Sequence, residues 1–311
     1  QSAPATLQFL VRKYFLSVCN FISNCPLQME CAVGINAEGP AWHQLMEHVT
    51  RFGKDRIVAG DFSKYDLHMS SRMVMLSFEL MMYIAKASGN FSEEDLIVMR
   101  GLASDCSSPI VNLNGELIQL FGSNPSGQNL TVYTNSIVNS LYTRCVFFSI
   151  YPEWDELFNL AVALTTYGDD NGMTVHPDFP KFNHTTMQAV YAARGIKYTM
   201  ADKTAESVPF ITFSAFDYLK RHSLLMPDVA WTEPDGTRHE GIYVAALDRE
   251  SIYKSLHCNL SSKVVSPDDV AAQCIEGACR EMFFHGREAF DEFHEQMKKV
   301  AVVTDSSASL P

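Results

Sequence analysis

The stretch that most constrains this chain runs Leu164-Thr165-Thr166-Tyr167-Gly168-Asp169-Asp170-Asn171-Gly172-Met173-Thr174-Val175. A mostly apolar run from Phe158 to Thr166 stops at a cluster rich in Gly, Asp and Asn, and a short β-prone run follows it. Gly168, Asn171 and Gly172 supply turn chemistry, so the pattern predicts a β-hairpin with two carboxylates at its tip. Adjacent acids at a tight turn repel each other and forgo burial. A hard divalent cation such as Mg²⁺ relieves that repulsion, because it takes carboxylate oxygens and leaves room for water and phosphates. A solvated Asp-Asp turn is the alternative, and the tetrapeptide alone does not separate the two.

A second acidic site lies upstream, in Val58-Ala59-Gly60-Asp61-Phe62-Ser63-Lys64-Tyr65-Asp66. Here too an apolar run ends on a carboxylate, Asp61, and Asp66 follows at a strand-to-helix turn. Between the two sites, Ser126-Gly127-Gln128-Asn129-Leu130-Thr131-Val132-Tyr133-Thr134-Asn135-Ser136 passes from a Gly-containing loop into a helix. On that helix Ile137, Leu141, Cys145 and Phe148 form one stripe, with Thr131, Asn135 and Asn139 on the other side. A polar stripe is ordinarily a solvated face. This one carries uncharged amide and hydroxyl groups, which suit hydrogen bonding to a sugar.

In this order and spacing the three segments resemble motifs A, B and C of picornavirus-like viral RNA-dependent RNA polymerases, with the dicistroviruses and marine picorna-like viruses most alike. Downstream, Ala201-Asp202-Lys203-Thr204 resembles motif D, and Phe216-Asp217-Tyr218-Leu219-Lys220-Arg221-His222 resembles motif E, a hairpin ending in Leu-Lys-Arg. The resemblance covers residues 31–260 well, and the last fifty only by position and helical character.

It implies an α+β fold, a right-hand polymerase palm in which a small antiparallel sheet is backed by helices, with partial fingers and a helical thumb. The expected layout is partial fingers and the approach to the palm at 1–55, palm with motif A at 56–87, and a fingers excursion at 88–125. Palm motifs B to E then occupy 126–222, a helical thumb 223–303 and a disordered tail 304–311. It also implies RNA-templated nucleotidyl transfer from an NTP to an RNA 3′-hydroxyl by a two-metal mechanism, with Mg²⁺ or Mn²⁺ held by Asp61, Asp169 and Asp170. Lys203 is the implied general acid. Asp66, Ser126, Gly127, Thr131 and Asn135 form the implied NTP and ribose site, while Tyr167, Gly168, Leu219, Lys220 and Arg221 are implied contacts to primer and RNA. Implied partners are RNA template and primer, NTPs and other viral replication proteins in the host cell cytoplasm. No bulky steric gate stands where Asp66 does, which separates the chain from reverse transcriptases.

Composition sets limits on these expectations. The 311 residues, 47% hydrophobic, suffice for a sizeable core with subdomains. No apolar run approaches the roughly 18 residues that span a bilayer. Eight scattered cysteines with no CxxC pair fit a reducing, intracellular setting, and Cys274, Cys279, His285 and His294 lack the spacing of a zinc finger. The start Gln1-Ser2-Ala3-Pro4 reads as that of a fragment or processed piece. A net charge of −12 runs against polyanion binding. The resemblance answers that objection by placing a basic fingers segment just upstream of Gln1. Two other readings stay open: a catalytically silent RNA-binding fragment lacking that segment, and a metal-dependent phosphoesterase, which leaves the Ser126 to Asn135 helix unexplained.

Local patterning predicts helices over 5–23, 41–52, 70–87, 182–194, 244–256 and 268–302. It predicts strands at 56–61 and 196–200, a hairpin at Asn112-Leu113-Asn114-Gly115 within an irregular 88–125, and a linker over 227–234.

Overall fold

A computed structural model describes residues 3–124, 127–202, 205–233, 235–257 and 263–303, the side chains of 301–303 excepted. In chain order the elements are α1 (Ala5–Asn24), α2 (Pro40–Val49), β1 (Ile57–Phe62), α3 (Tyr65–His68), α4 (Ser71–Ala87), α5 (Glu93–Ser107), β2 (Ile110–Leu113) and β3 (Glu116–Gln119). There follow α6 (Thr131–Ile150), α7 (Phe158–Ala161), β4 (Val162–Tyr167), β5 (Asp170–Val175), α8 (His184–Ala192), β6 (Tyr198–Met200) and β7 (Asp217–Tyr218). The last are β8 (Arg221–Thr232), β9 (Arg238–Leu247), α9 (Arg249–His257), α10 (Pro267–Phe283) and α11 (Arg287–Val303). They fall into two compact units: Gln1–Ile35 with Glu47–Ala215, and Asn36–Met46 with Phe216–Pro311.

The first unit is built on a four-stranded antiparallel sheet in the order β4-β5-β1-β6. Strands β1, β4 and β5 are buried almost throughout, with the polar Thr165, Thr166, Asn171 and Thr174 enclosed beside their apolar residues. Helices α1, α4, α5, α6 and α8 cover the sheet through one core that includes Phe15, Phe62, Phe78, Val138, Phe147, Phe182 and Tyr191. The fold is thus the expected α+β arrangement of a small antiparallel sheet backed by helices.

Three local expectations need correction. Residues 88–125 are not irregular throughout, because Glu93–Ser107 is a helix. Its start is a capping box in which Ser92 Oγ accepts from Asp95 N and the Asp95 carboxylate accepts from Ser92 N. The hairpin inside this stretch does form, with Asn114 and Gly115 both at positive φ, 54° and 97°.

The apolar stripe expected on α6 is also displaced. Cys145 and Phe148 are exposed, whereas Val138, Tyr142, Val146 and Phe147 are buried together with the polar Ser136, Asn139 and Thr143. Helix α6 is enclosed on most sides, so its sequence carries little amphipathic contrast.

In the second unit, the linker at 227–234 and the helix from Val244 are replaced by the long hairpin β8–β9. Pro227 sits where the register shifts between Met226 and Ala230, a bulge that tolerates its missing N–H. Asp235 Oδ1 accepts from Thr237 N at 2.9 Å and Gly236 adopts φ 93°, closing the turn. Residues 223–303 are therefore a hairpin followed by three helices, not helices alone. Ile252, Ile275, Ala278, Cys279, Met282, Phe293 and Met297 pack as their core. Cys279 is spent on that core, and His285 bonds the Leu247 carbonyl at 2.7 Å. Residues 304–311, expected to be disordered, lie outside the described residues.

Candidate functional site

Sheet register brings the two acidic stretches to one end of the sheet. Gly60 of β1 faces Asn171 of β5 across an antiparallel ladder. Asp61 follows Gly60 and Asp170 precedes Asn171, so the carboxylates begin where this pairing ends, on strands spaced about 4.8 Å apart. The hairpin β4–β5 pairs from Val162↔Val175 to Tyr167↔Asp170, leaving Gly168 and Asp169 as its two-residue turn. Gly168 has φ 63°, the left-handed conformation such a turn needs.

Helix α6 holds this turn from beneath. Ser136 Oγ accepts from Gly168 N at 2.9 Å. The fully buried Asn139 directs Nδ2 at the carbonyls of Gly168, Asp169 and Asp170, at 3.1, 3.0 and 3.3 Å. Its Oδ1 accepts from Asn171 Nδ2 at 3.1 Å, and Asn171 Oδ1 accepts from Tyr198 Oη at 2.8 Å. The Tyr198 ring in turn lies on Gly60, where an added Cβ would stand 2.0 Å from Tyr198 Cζ. Asn139, Asn171, Tyr198 and Gly60 thus tie α6, β5, β6 and β1 into one buried connection behind the acids. Such networks fix geometry because each unpaired member would be costly.

The edge of β4 is held as well. Glu30, at φ 54°, accepts at its carbonyl from Thr166 N and Thr166 Oγ1, at 2.9 and 2.7 Å. Its buried carboxylate is gripped through both oxygens by Arg144 and accepts from Ser140 Oγ at 2.8 Å.

Electrostatics agree with this placement. Burial pushes the Tyr65 hydroxyl well above its ordinary range, with smaller contributions from Tyr142, Tyr191 and the Asp169 charge. Burial does the same to Tyr198, where Tyr191 and the Asp61 charge add to it and the bond to Asn171 opposes it. Both phenols are neutral donors at any physiological pH. Asp61 is buried and Asp169 and Asp170 are half-buried, and register brings these three carboxylates, from two segments, to the same end of the sheet. Hard oxygen donors of this kind fit Mg²⁺ or Mn²⁺ rather than a soft metal.

Asn124 reaches both Asp66 and Asn135 of the expected sugar site. Asn135 Oδ1 accepts from Asn124 Nδ2 at 2.7 Å, and Asn124 N donates to the Asp66 carbonyl at 2.9 Å. Asn124 therefore stands between Asp66 and Asn135. The loop carrying Gly127 is pinned by α1: Gln8 Nε2 donates to the Gly127 carbonyl, and Gln8 Oε1 accepts from Asn129 N at 3.1 Å. Thr131 opens α6 with Oγ1 donating to the Gln128 carbonyl at 2.8 Å. Ser126 and Lys203 lie outside the described residues.

In the second unit Leu219 and Lys220 form the turn between β7 and β8, at φ 55° and 59°. Arg221 is bound to both oxygens of Glu281, at 2.8 and 2.6 Å, and to the Ala245 carbonyl at 2.8 Å. Within the run Leu219 to Arg221, the exposed cation is Lys220. Sequence reading missed Asn124, Asn171, Tyr198 and the Glu30–Arg144 pair. Only Asn171, two residues past the turn, gave a local sign.

In sequence and fold the chain is similar to known proteins. The family model described as viral RNA-dependent RNA polymerase matches residues 2–302. The chain is 26% identical over 313 residues to the replicase polyprotein of Drosophila C virus (strain EB), covering 97% of this chain and 17% of that polyprotein. It is 28% identical over 300 residues to the RNA1 polyprotein of Andean potato mottle virus, covering 93% of this chain and 38% of that protein. Among solved structures, a Sicinivirus 3Dpol RNA-dependent RNA polymerase superposes with a TM-score of 0.66 at 16% identity. That alignment covers 91% of this chain and 54% of the Sicinivirus chain.

Proposed function

The chain belongs to the viral RNA-dependent RNA polymerase family, and on that premise we propose that it carries out RNA-templated RNA synthesis in viral genome replication. The substrates are an RNA template, a primer and NTPs, and the other proteins of a replicase polyprotein are its natural partners. The supporting observation is the register that sets Gly60-Asp61 against the end of the hairpin bearing Asp169 and Asp170. In this reading residues 56–87 and 126–222 are the palm, 1–55 and 88–125 belong to the fingers, and 223–303 is the thumb.

The chemistry is in-line displacement of pyrophosphate by a primer 3′-hydroxyl, in which positioning and charge neutralisation do most of the work. Asp61 and Asp169 would hold Mg²⁺ or Mn²⁺, two ions in this reading, with Asp170 as a further ligand. When bound, the ions stabilise charge on the attacking and leaving oxygens. Asp66, Asn135, Thr131, Ser126 and Gly127 orient the sugar and triphosphate. A site built to bond a hydroxyl rejects a sugar lacking it, because its polar groups are then left unpaired. Lys203 donates a proton to the departing pyrophosphate oxygen, a contribution of roughly 10²–10⁴-fold. Tyr167, Gly168, Leu219 and Lys220 face primer and RNA, while Arg221 braces the Lys220 turn through Glu281. The scattered cysteines fit a reducing site of action, the host cytoplasm in this reading.

The experiment is primer extension on defined RNA templates. Changing the templating base should change which NTP is added, and Asp169→Asn should abolish addition. A second reading, a catalytically silent RNA-binding piece, is favoured by the coverage of 54% of the Sicinivirus chain. RNA binding with no incorporation would select it.

A further inference from the structure

Residues 122–124 run clamped along 66–69. Ser123 N donates to the Met69 carbonyl at 2.7 Å, and Asn124 N to the Asp66 carbonyl at 2.9 Å. The approach is close enough that a Cβ on Gly122, at φ 118°, would meet the Met69 carbonyl at 2.4 Å. This places Asn124, which is fully buried, beside Asn135, whose main-chain carbonyl is fixed separately by Tyr65 Oη at 3.1 Å.

Asn124 uses one end of its amide on Asn135 and leaves the other end unused. Nδ2 donates to Asn135 Oδ1 at 2.7 Å, while Asn124 Oδ1 is buried and has no hydrogen-bond partner among the described residues. Since its Oδ1 is engaged, Asn135 is left to offer Nδ2, a donor. The amide pair therefore presents one acceptor and one donor, and the buried acceptor is costly while its hydrogen bond stays unmade. A ribose hydroxyl is both donor and acceptor and answers both, and the one that the reading of Asp66 and Asn135 assigns to this site is the 2′-hydroxyl.

We propose that Asn124 is a further specificity-determining residue for the sugar of the incoming nucleotide. It fixes which end of the Asn135 amide faces the substrate, and its own Oδ1 accepts a hydrogen bond from the ribose 2′-hydroxyl. The proposal rests on the reading of Asp66 and Asn135 as the ribose site and adds a residue to it.

The test compares ATP, 2′-fluoro-ATP and dATP, read as single-nucleotide incorporation and as equilibrium affinity of the chain. Fluorine can accept a weak hydrogen bond but cannot donate one, so it isolates the bond to Asn124 Oδ1. The parental chain should prefer ATP to 2′-fluoro-ATP by about tenfold or more, as expected for one buried acceptor left unpaired. In Asn124→Ala that preference should vanish, with dATP handled as well as before. Equal handling of ATP and 2′-fluoro-ATP by the parental chain overturns the proposal without any variant having to fold. So does a loss in Asn124→Ala shared equally by all three nucleotides, which would mark a structural role. If Asn135→Ala lowers discrimination while Asn124→Ala does not, Asn124 is excluded and the ribose site stands. If neither variant changes it, the ribose site itself is wrong.

Discussion

Replacing Asn139 with Ala should cost more than any other single polar truncation behind the acidic turn. The side chain is fully buried, donates to three successive carbonyls and accepts from Asn171 Nδ2. Alanine leaves Asn171 Nδ2 buried without its acceptor, at about 1–3 kcal/mol, and forfeits turn hydrogen bonds worth about 1 kcal/mol each. With the small void added, the expected loss is roughly 3–5 kcal/mol, a large share of the ~5–15 kcal/mol of a typical domain. Urea denaturation of parent and variant measures it, with the m-value checked for constancy. Asn139→Asp sharpens the test. Its carboxylate would face three carbonyls, so burial and repulsion raise its pKa in the folded state. A raised carboxyl pKa gives stability that is lost as pH rises through the unfolded value near 4 and upward, so Asn139→Asp should regain stability as pH falls from 7. A loss under 1 kcal/mol for Asn139→Ala, or no recovery of Asn139→Asp in acid, would refute the view that this amide carries the turn.

Three further outcomes follow from neighbouring residues. Gly60→Ala should fail to fold or lose more than about 3 kcal/mol, since its Cβ would overlap the buried Tyr198 ring. Gly168→Ala meets nothing within 4 Å and should lose only the left-handed backbone cost of about 1–2 kcal/mol; thermal melts rank the two, and equal losses would be wrong. Arg144→Leu strands the buried Glu30 carboxylate and should cost about 3–5 kcal/mol, with part of it recovered in Arg144→Leu/Glu30→Gln; a double-mutant cycle with no coupling rejects the pair. Burial holds His48 and His184 below the usual histidine pKa, although the Leu164 carbonyl works the other way on His48. The folded chain then binds fewer protons than the unfolded one below about pH 6.5, so stability should fall as pH drops through that value, and less steeply in His48→Gln. Denaturation midpoints at pH 5.5 and 7.5 decide it.

What the sequence made legible was local. The apolar run that stops on Asp61, the hairpin turn at Gly168, the helical spacing of residues 5–23 and the Asn114-Gly115 hairpin each depend on neighbours a few residues apart, and each forms, although the first turn is Gly168-Asp169 alone and Asn171 and Gly172 fall inside β5. The helix at Glu93 was also written locally, in the Ser92 to Asp95 capping box, but an Asp stands where Glu or Gln is usual. The β8–β9 hairpin was hidden because Val244 to Leu247 is too short an apolar run to separate strand from helix by period, and Pro227 argued for a break. The connections behind the acids were not legible at all. Asn139 to Asn171, Asn171 to Tyr198 and Glu30 to Arg144 join residues 32, 27 and 114 positions apart, and their partners are chosen by the fold. Asn124 escaped for a related reason: nothing in a Gly-Ser-Asn-Pro run announces which amide it will meet.

Mn²⁺ binding followed by electron paramagnetic resonance decides whether acids from two separate strands form one divalent-cation site. The parental chain should bind Mn²⁺, Asp61→Asn and Asp169→Asn should each lose most of that affinity, and Asp105→Asn, an exposed acid on α5, should keep it. Parental Mn²⁺ affinity in both Asp61→Asn and Asp169→Asn would contradict the account.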